Sequence, residues 1–387
     1  MKIPKRILLP AIVGIIILAP IILAIRSDDA SLPTARLAAP PADLSGFTRA
    51  AGPTEIIFPR DNGPHTDYLT EWWYYTGNLE TADGRHFGFQ LTFFRRALAP
   101  QTEISGERAS DWAADQVYLA HFALTDVAGE TFTARERFSR GAAGLAGAQA
   151  EPYRVWLEDW SVMQAEDGVY QLTAFIEGTA LNLRLVDATG PILHGEDGYS
   201  QKGPEPGNAS YYISQPRLEA SGTVTAGGET FAVTGLAWMD HEYSTSALGA
   251  DQVGWDWFSI QLDDGTAIML FELRKEDGTV DAFSSGTIIF PDGQVQFLGE
   301  EDFTISVEEW WDSPHSGARY PAQWIIAVPG AGIDLSVSPW LADQELQVSF
   351  TYWEGAVQVE GTVNGAAVSG AGYVELTGYA HSMQGEF

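Results

Sequence analysis

The sequence contains no cysteine, and basic residues are scarce in it. The absence of cysteine excludes disulfide bonds, thiolate zinc sites and a cysteine nucleophile. Lysine and arginine total 21 against 52 aspartate and glutamate residues, which gives a formal net charge of −31. Because binding to phosphates needs a cationic face, so acidic a chain is a poor match for nucleic acid. We therefore expect no nucleic-acid partner.

Long hydrophobic runs are also absent, except at the amino terminus. There, basic residues at positions 2, 5 and 6 precede an uncharged, largely apolar run over residues 7–25. At about 1.5 Å per residue, such a run is long enough to cross the hydrocarbon core of a bilayer. The basic flank should remain cytoplasmic. We predict a signal anchor over residues 1–26 that holds the chain at the inner membrane, facing the periplasm or exterior, with a cleaved signal and secretion as the alternative.

Residues 27–64 are rich in proline, alanine and aspartate and are predicted to form a tether. Beyond them the 3.6-residue apolar periodicity of helices is almost absent, whereas alternation of apolar and polar residues recurs. In residues 86–93, for example, phenylalanine or leucine occupies every second position. Glycine is abundant and often follows aspartate, which is typical of tight turns between strands. These patterns predict an all-β protein.

A strand–turn–strand pattern occurs twice in the chain. An aromatic strand, an Asp-Gly turn and an apolar strand end at Arg95, and the same order ends at Arg274. Two copies in the same order indicate a duplicated domain. Closing each sheet into a barrel would remove its exposed edges. We predict two antiparallel β-barrels in tandem, over residues 65–222 and 223–387, with the boundary near residues 220–226, at Ser221-Gly222 or Gly227-Gly228.

A glycine- and proline-rich stretch over residues 192–216 separates the two halves and includes Lys202. A loop of this length in a compact protein is usually functional or mobile. His194 lies in this stretch, and His315 and His381 lie in similar segments. We expect these three histidines at the surface.

Six aromatic-rich segments stand out across residues 55–385. They are EWWYYTGNL (71–79), ASYY (209–212), WMDHE (238–242), GWDWF (254–258), YWEGAV (352–357) and GYVELTGY (372–379). Together they resemble the carotenoid 1,2-hydratase (AttH-like) family, and WMDHE is the most specific of them. The resemblance implies two lipocalin-like barrels, carotenoid hydration in one branch, and a predicted hydrolase in the secreted branch that this chain is closer to. It also implies an association with an export or transport system.

Three ionisable residues, Asp240, His241 and Glu242, follow an apolar strand and are predicted to lie at a barrel mouth. If the strand continues through them, Asp240 and Glu242 share one face and His241 takes the other. A bend at the strand end would instead let all three side chains converge. Hydration of a carbon–carbon double bond needs a strong general acid. A carboxyl group desolvated among aromatic rings can supply one, because its pKa is raised. Asp240 or Asp256 is the candidate acid, and His241 is the candidate partner for water. For Asp256, a contact with a backbone turn or an arginine is an equal alternative.

Aromatic and polar residues near these positions are predicted to form a cleft between the barrels that binds an apolar ligand. Aromatic faces there would also stabilise a carbocation. The candidate ligand-binding residues are Glu71, Trp72, Tyr74, His86, Gln90, Tyr211, Tyr212, Trp238 and Trp255. For Glu71, an ion pair with an arginine such as Arg95 is an equal alternative. Tyr211 and Tyr212 alternate faces, so one of them is a candidate cavity hydroxyl.

Three functions remain open from the sequence. The first is binding of an apolar small molecule, such as a lipid or polyene, without turnover. The second is a hydratase or isomerase acting on a lipophilic alkene. The third is a metal-assisted hydrolase using Asp240, His241 and Glu242 with His315 or His381, although this spacing is unlike recognised zinc motifs. We predict no metal and no other cofactor.

Overall fold

The computed structural model describes residues 44–103, 110, 112–246 and 248–385. In these residues the regular structure consists of β-strands and four short 3-10 helices, which confirms the all-β prediction. The 3-10 helices are Arg60–Asn62, Gln101–Glu103, Glu300–Asp302 and Pro329–Ala331. The predicted anchor, residues 1–26, and the tether as far as residue 43 lie outside the described residues. No helix in the described part of the chain has the length and apolarity needed to cross a bilayer.

Thirteen strands form the first antiparallel sheet. They are β1 (Thr70–Glu80), β2 (His86–Ala97), β3 (Gln116–Asp126), β4 (Thr131–Arg140), β5 (Ala146–Ala150), β6 (Tyr153–Leu157), β7 (Trp160–Glu166), β8 (Val169–Ile176), β9 (Thr179–Asp187), β10 (Ile192–Leu193), β11 (Tyr199–Gln201), β12 (Ala209–Ala226) and β13 (Glu229–Ser244). Their order is β4-β3-β2-β1-β13-β12-β9-β8-β7-β6-β5, with β10 and β11 paired to β12. The sheet curls around its core, because the hydroxyls of Tyr75 on β1 and Tyr153 on β6 meet at 2.7 Å.

Ten strands form the second antiparallel sheet. They are β14 (Gln252–Leu262), β15 (Ala267–Lys275), β16 (Ser285–Ile289), β17 (Val295–Gly299), β18 (Thr304–Asp312), β19 (Arg319–Val328), β20 (Ile333–Pro339), β21 (Glu345–Gln347), β22 (Thr351–Val363) and β23 (Ala366–Leu376). Their order is β17-β16-β15-β14-β23-β22-β20-β19-β18, with β21 paired to β22. The chain therefore contains two barrel-like sheets in tandem, each around its own apolar core.

The predicted repeat corresponds to equivalent hairpins in the two sheets. Strands β1 and β2 pair directly, and so do β14 and β15. Gly84 and Gly265 lie in the connecting turns with φ of 84° and 95°, a conformation that glycine adopts without strain. The Asp-Gly pairs thus identified real turns.

The junction between the two sheets lies between Ser244 and Gln252, later than the predicted boundary at residue 222. Gly222 lies inside β12, which continues as a long hairpin into β13 of the same sheet. Gly227 and Gly228, with φ of 58° and 83°, form its two-residue turn. Glycine pairs mark hairpin turns as readily as domain boundaries, so composition placed the junction too early.

The outer faces of the two sheets pack against each other. Gly88 on β2 lies so close to β22 that a Cβ added to it would be 2.3 Å from the Cβ of Ala356. Nearby, the side-chain amide of Asn78 on β1 donates to the Gly372 carbonyl of β23 at 2.9 Å. This close contact fixes the two sheets relative to each other and positions the site described next.

Candidate functional site

A cleft lies where the outer faces of the two sheets meet. Its aromatic lining comes from Trp72, Tyr74, Phe94, Tyr212, Trp255, Trp257 and Phe271. Its ionisable lining residues are Lys202, Asp240, Glu242 and Glu375. An apolar hollow with a few convergent polar groups is the usual form of a small-molecule site.

Strand pairing brings several of the predicted site residues to this cleft. Because β13 continues to Ser244, Asp240 and Glu242 share one face, as the alternation predicted. On the neighbouring strand β1, Tyr74 lies opposite Asp240 and Trp72 lies opposite Glu242. Tyr212 on β12 lies opposite Glu242 from the other side. Trp255 completes the set from the second sheet.

The carboxyl group of Asp240 accepts three hydrogen bonds. The Tyr212 hydroxyl and the Trp238 indole N–H donate to it at 2.6 Å, and the Ser214 hydroxyl is the third donor. The Trp257 indole N–H donates to the Tyr212 oxygen at 2.8 Å, which directs the Tyr212 hydrogen towards Asp240. Burial raises the pKa of Asp240 to about 7, and the three hydrogen bonds oppose this rise.

His194 extends this network behind the wall of the cleft. Its Nε2 is 2.6 Å from Ser214 Oγ, and its Nδ1 is 2.8 Å from Thr287 Oγ1. Since the Ser214 hydroxyl donates to Asp240, Nε2 must donate to Ser214 and Nδ1 must accept from Thr287. Burial lowers the pKa of His194 to about 3, so the ring is neutral. The expected surface location of His194 is wrong, because β10 pairs with β12 and carries the ring inward.

Lys202 is the cation that lines the cleft in the described part of the chain. Its ammonium group lies 3.4 Å from Glu242 Oε1 and 3.8 Å from the centre of the Phe271 ring. Burial lowers the pKa of Lys202, and the neighbouring Glu242 opposes this change. Lys202 was not among the predicted site residues. The sequence feature that could have identified it is a lysine in a long loop, within a chain that has few basic residues.

Glu375 lines the wall that the second sheet contributes, and Glu354 is buried beside it. Glu375 on β23 is directly opposite Glu354 on β22. The Trp255 indole N–H donates to Glu375 at 2.9 Å, and the Tyr74 hydroxyl donates to Glu354 at 2.7 Å. Burial raises the pKa of Glu375 to about 7. Burial and the neighbouring Glu375 raise the pKa of Glu354 well above its usual range.

Glu375 was also missed from the sequence, although alternation within its own motif marks it. In residues 373–376, Tyr373 and Glu375 share one face of β23, whereas Val374 and Leu376 belong to the core of the second sheet. A glutamate on the face opposite a barrel core must point to solvent or to another packed surface. Whether Glu375 points to solvent or to another surface depends on how the first sheet packs against the second.

His241 does not line the cleft, because it lies on the opposite face of β13. Its Nε2 contacts Glu71 Oε1 at 2.8 Å, and the Arg95 guanidinium donates to Glu71 Oε2 at 2.8 Å. Burial alone would raise the pKa of Glu71, but Arg95 and the hydrogen bonds from His241 and His65 hold it well below its usual range. Glu71 thus forms the arginine ion pair and does not face a ligand.

His65, Glu71 and His241 are the three side chains of this region that offer ligand atoms to a metal, within 4.8 Å of one another. Both imidazoles already contact the same Glu71 oxygen at 2.8–2.9 Å, the distance of direct hydrogen bonds. A cation placed between them would also lie beside the Arg95 guanidinium. We therefore assign this cluster a structural role, in which it fixes the segment preceding β1 to the barrel.

The metal-assisted alternative that used Asp240, His241 and Glu242 does not fit the geometry either. Alternation along β13 places His241 on the face opposite the two carboxylates. His315 and His381, its proposed distant ligands, are exposed as expected for surface histidines, and His315 pairs with an aspartate at 2.8 Å. The predicted ligand set does not converge.

Asp256, the other candidate acid, faces away from the cleft between two tryptophans that line it. Its carboxylate accepts from the Arg274 guanidinium and from the Tyr379 hydroxyl, each at 2.8 Å. Burial raises the pKa of Asp256, and Arg274 opposes that change. The residue is therefore the partner of an arginine inside the second sheet, as the second of the two alternatives for this position predicted, and it is not a ligand-facing acid.

Four other predicted ligand-binding residues lie outside the cleft lining. Trp238 is buried beneath Asp240 and holds it in place. His86 stacks on a tryptophan of the second sheet, and Gln90 is fully buried, both on the part of β2 where the sheets touch. Tyr211 donates to a backbone carbonyl of the N-terminal segment at 2.8 Å. Of the tyrosine pair, Tyr212 supplies the cavity hydroxyl.

Comparisons with known proteins agree with this architecture. The sequence pattern of the AttH-like family matches residues 49–379. A solved AttH structure from Nitrosomonas europaea is 34% identical, with a TM-score of 0.76, over 86% of this chain and 100% of that one. The structure of kievitone hydratase from Nectria haematococca shares the fold, with a TM-score of 0.64 at 15% identity over 87% of this chain and 98% of that one.

A curated sequence relative is kievitone hydratase from Fusarium solani subsp. phaseoli. It is 26% identical over an alignment of 205 positions, and this alignment covers 49% of this chain and 55% of that protein. The chain thus matches about half the length of this relative.

Proposed function

This chain belongs to the AttH-like family, and from that premise we propose that its cleft binds a lipophilic alkene and adds water to the double bond. The observation that carries the proposal is the pairing of aromatic walls with carboxyl groups whose pKa values lie near neutrality. The similarity in sequence to a kievitone hydratase supports this reaction class.

The lining of the cleft favours a ligand that is mostly apolar. Seven aromatic rings surround it, so an isoprenoid chain or a polyene would lose its contact with water on entry. The ion pair of Lys202 and Glu242 offers one polar position, where a hydroxyl or carbonyl of the ligand would be oriented. A strongly charged ligand would break that ion pair and could replace only one of its two members, so the other would remain buried without a counter-ion.

Hydration of such an alkene begins with protonation of one carbon. The second carbon becomes a carbocation, which the electron-rich faces of tryptophan and tyrosine stabilise. Water then attacks that carbon and passes a proton to a base. The cleft holds both kinds of group, since carboxyls with pKa values of about 7 are present in protonated and ionised forms at neutral pH.

The proposal is tested with the full-length chain, farnesol and squalene as trisubstituted alkenes, and water labelled with oxygen-18. We expect mass spectrometry to detect products that gain one labelled water. Asp240→Asn should lower turnover about 10²–10⁴-fold, the usual contribution of a general acid or base. Binding of the alkene, followed by quenching of tryptophan fluorescence, should change little.

The matched control is Glu272→Gln. Burial also raises the pKa of Glu272, to about 8, but this residue is not part of the cleft lining. Its substitution should leave turnover unchanged. If the wild-type protein binds the alkenes and returns them unmodified, the hydratase proposal is wrong and the cleft is that of a carrier for apolar ligands.

We also propose that the N-terminal segment holds this site beside a membrane, where apolar ligands concentrate. The support is the apolar run of residues 7–25 behind a basic flank. Membranes from expressing cells should retain the full-length protein after alkaline washing and should release a variant lacking residues 1–34. Release of both forms would contradict tethering. An exported protein at this location could also meet a transport system, as the family resemblance implies.

A further inference from the structure

The proposed hydration needs one group that gives a proton and another that takes one, and the cleft has a carboxyl group on each wall. Asp240 belongs to β13 of the first sheet, and Glu375 belongs to β23 of the second. Both line the same hollow. The sequence pattern pointed to Asp240 as the acid, but the hydrogen bonds around the two groups favour a different division of roles.

Asp240 is surrounded by donors. The Trp238 indole has only an N–H to offer, and the Tyr212 hydrogen is directed at Asp240 because the Tyr212 oxygen accepts from Trp257. The third donor is the Ser214 hydroxyl, and its oxygen accepts a hydrogen bond from His194 Nε2. Three donors aimed at one carboxyl group stabilise the ionised form, which accepts only.

Glu375 has the opposite environment. Glu375 is half-buried and accepts one hydrogen bond, from Trp255, and its cross-strand neighbour is a fully buried carboxyl group, Glu354. In the described part of the chain, neither glutamate forms an ion pair, and Glu354 Oε1 has no hydrogen-bond partner. Two like charges directly opposite on adjacent strands repel each other. This environment therefore favours the protonated forms of Glu375 and Glu354.

The other ionisable groups around Glu375 act in the same direction. Those that face it or the adjoining surface are Tyr74 on β1, Asp240 and Glu242 on β13, Lys202 in the loop before β12, and Glu354 on β22. Lys202, the cation of this set, is engaged by Glu242. The remaining groups are acidic, so they favour the protonated form of Glu375.

We propose that Glu375 donates the proton to the alkene and that the Asp240 carboxylate accepts the proton from the attacking water. This inference rests on the proposed hydratase function. The geometry that carries it is the placement of a donor-rich carboxylate and a donor-poor carboxyl group on opposite walls of one cleft. The assignment adds Glu375 as a catalytic residue and gives Asp240 the role of base.

The proton balance closes over one cycle. The O–H bond of Glu375 breaks as a C–H bond forms at one alkene carbon, which leaves a carbocation at the other carbon. The oxygen of water forms a C–O bond to that carbon, and one water hydrogen passes to Asp240. The product is the ligand plus one water. Transfer of a proton from Asp240 to Glu375, directly or through water, restores the starting state.

The first test needs no ligand. Infrared spectra of the full-length protein are recorded over a pH series, and the carbonyl bands of protonated carboxyls are assigned with Asp240→Asn and Glu375→Gln. We expect the Asp240 band to disappear at a lower pH than the Glu375 band. The reverse order would overturn the division of roles, whatever the protein does to an alkene.

The second test uses turnover of farnesol in labelled water. Glu375→Gln should lower turnover about 10²–10⁴-fold, Glu375→Asp should restore part of it, and Glu272→Gln should match the wild type. The wild-type rate should be bell-shaped in pH, with the upper limb set by Glu375. If Glu375→Gln keeps full turnover while the wild type hydrates farnesol, this inference fails and the hydratase proposal survives. If the wild type hydrates no alkene, both fail.

Discussion

Strands β1 and β13 carry buried carboxyl groups on both of their faces, and the pKa values of these groups are shifted in opposite directions on the two faces. On one face, Glu71 is fully buried and its pKa lies well below the usual range. On the other face, Asp240 is nearly as buried, and its pKa is raised to about 7. Glu71 has the Arg95 guanidinium at 2.8 Å, whereas Asp240 has only neutral donors.

The comparison shows that burial by itself does not decide the charge of a carboxyl group. Desolvation penalises both ionised groups, and a cation in contact more than compensates for it in only one of them. The face that encloses the first core therefore carries a permanent ion pair. The face that meets the second sheet carries groups able to exchange protons near neutral pH, which is what acid–base chemistry requires.

The largest effect should come from breaking the ion pair. Glu71→Gln should lower the free energy of unfolding by about 3–5 kcal/mol, because Arg95 is left buried without its counter-ion. Chemical denaturation measures this change. The matched control is Glu158→Gln, which breaks an exposed pair with Arg137 and should cost less than about 1 kcal/mol. Equal losses in the two variants would contradict the structural role of Glu71.

The two faces should also respond oppositely to pH. The folded pKa of Glu71 is lowered, so its stabilising contribution is present above its unfolded pKa of about 4.3 and is lost as pH falls below that value. The folded pKa of Asp240 is raised, so its contribution is complete below its unfolded pKa of about 3.9 and is lost as pH rises towards 7.

Denaturation curves over this range measure the difference. Asp240 should make the free energy of unfolding fall with rising pH between about 4 and 7, by up to about 1.4 kcal/mol per pH unit. Asp240→Asn should remove that component, and Glu71→Gln should retain it. An unchanged slope in Asp240→Asn would show that the pKa of Asp240 is not raised.

The contrast between the faces depends on close packing of the sheets. Gly88→Ala places a methyl group against Ala356 and should lower the free energy of unfolding by about 1–3 kcal/mol. It should also weaken binding of an apolar fluorescent dye, because the sheets separate beside the cleft. Gly330→Ala, whose added methyl meets no atom within 4 Å, is the control and should do neither. If the Gly88→Ala variant binds the dye as tightly as the wild type does, the cleft does not depend on this contact.

The smallest expected effect comes from removing one of the three hydrogen-bond donors to Asp240. Ser214→Ala removes one hydrogen bond to Asp240 and should raise the pKa of Asp240 further, by about one unit. The lower limb of the pH–rate profile should move upwards by the same amount. Thr225→Ala removes a hydroxyl from the same strand that bonds only to Thr230, and it should leave the profile in place. A shift in both variants would mean that the effect is not specific to Asp240.

Local patterns predicted the secondary structure and part of the site correctly. Asp-Gly pairs located the hairpins, and alternation placed Asp240 and Glu242 on one face with His241 on the other. The same rule separated Tyr211 from Tyr212. These features depend on neighbours along one strand, where the two-residue period leaves no choice of face. They were therefore readable from residue order.

Pairing across the molecule decided the rest. His194 was expected at the surface and is buried behind Ser214, because a short strand joins the sheet there. Asp256 shares the tryptophan-rich motif but faces Arg274. Glu375 gains its role only because the first sheet covers the outer face of β23. None of these partners is close in sequence.

By itself, the sequence determined the all-β fold, its duplication and the faces that individual residues occupy, since each follows from short-range periodicity and turn chemistry. Only the tertiary structure decided which carboxyl groups meet a cation and which meet aromatic rings. The physical reason is that a pKa responds to charges and solvent within a few ångströms in space. In this protein those neighbours come from strands that are distant in sequence, and Trp257 and Tyr74 contribute from one sheet to the other.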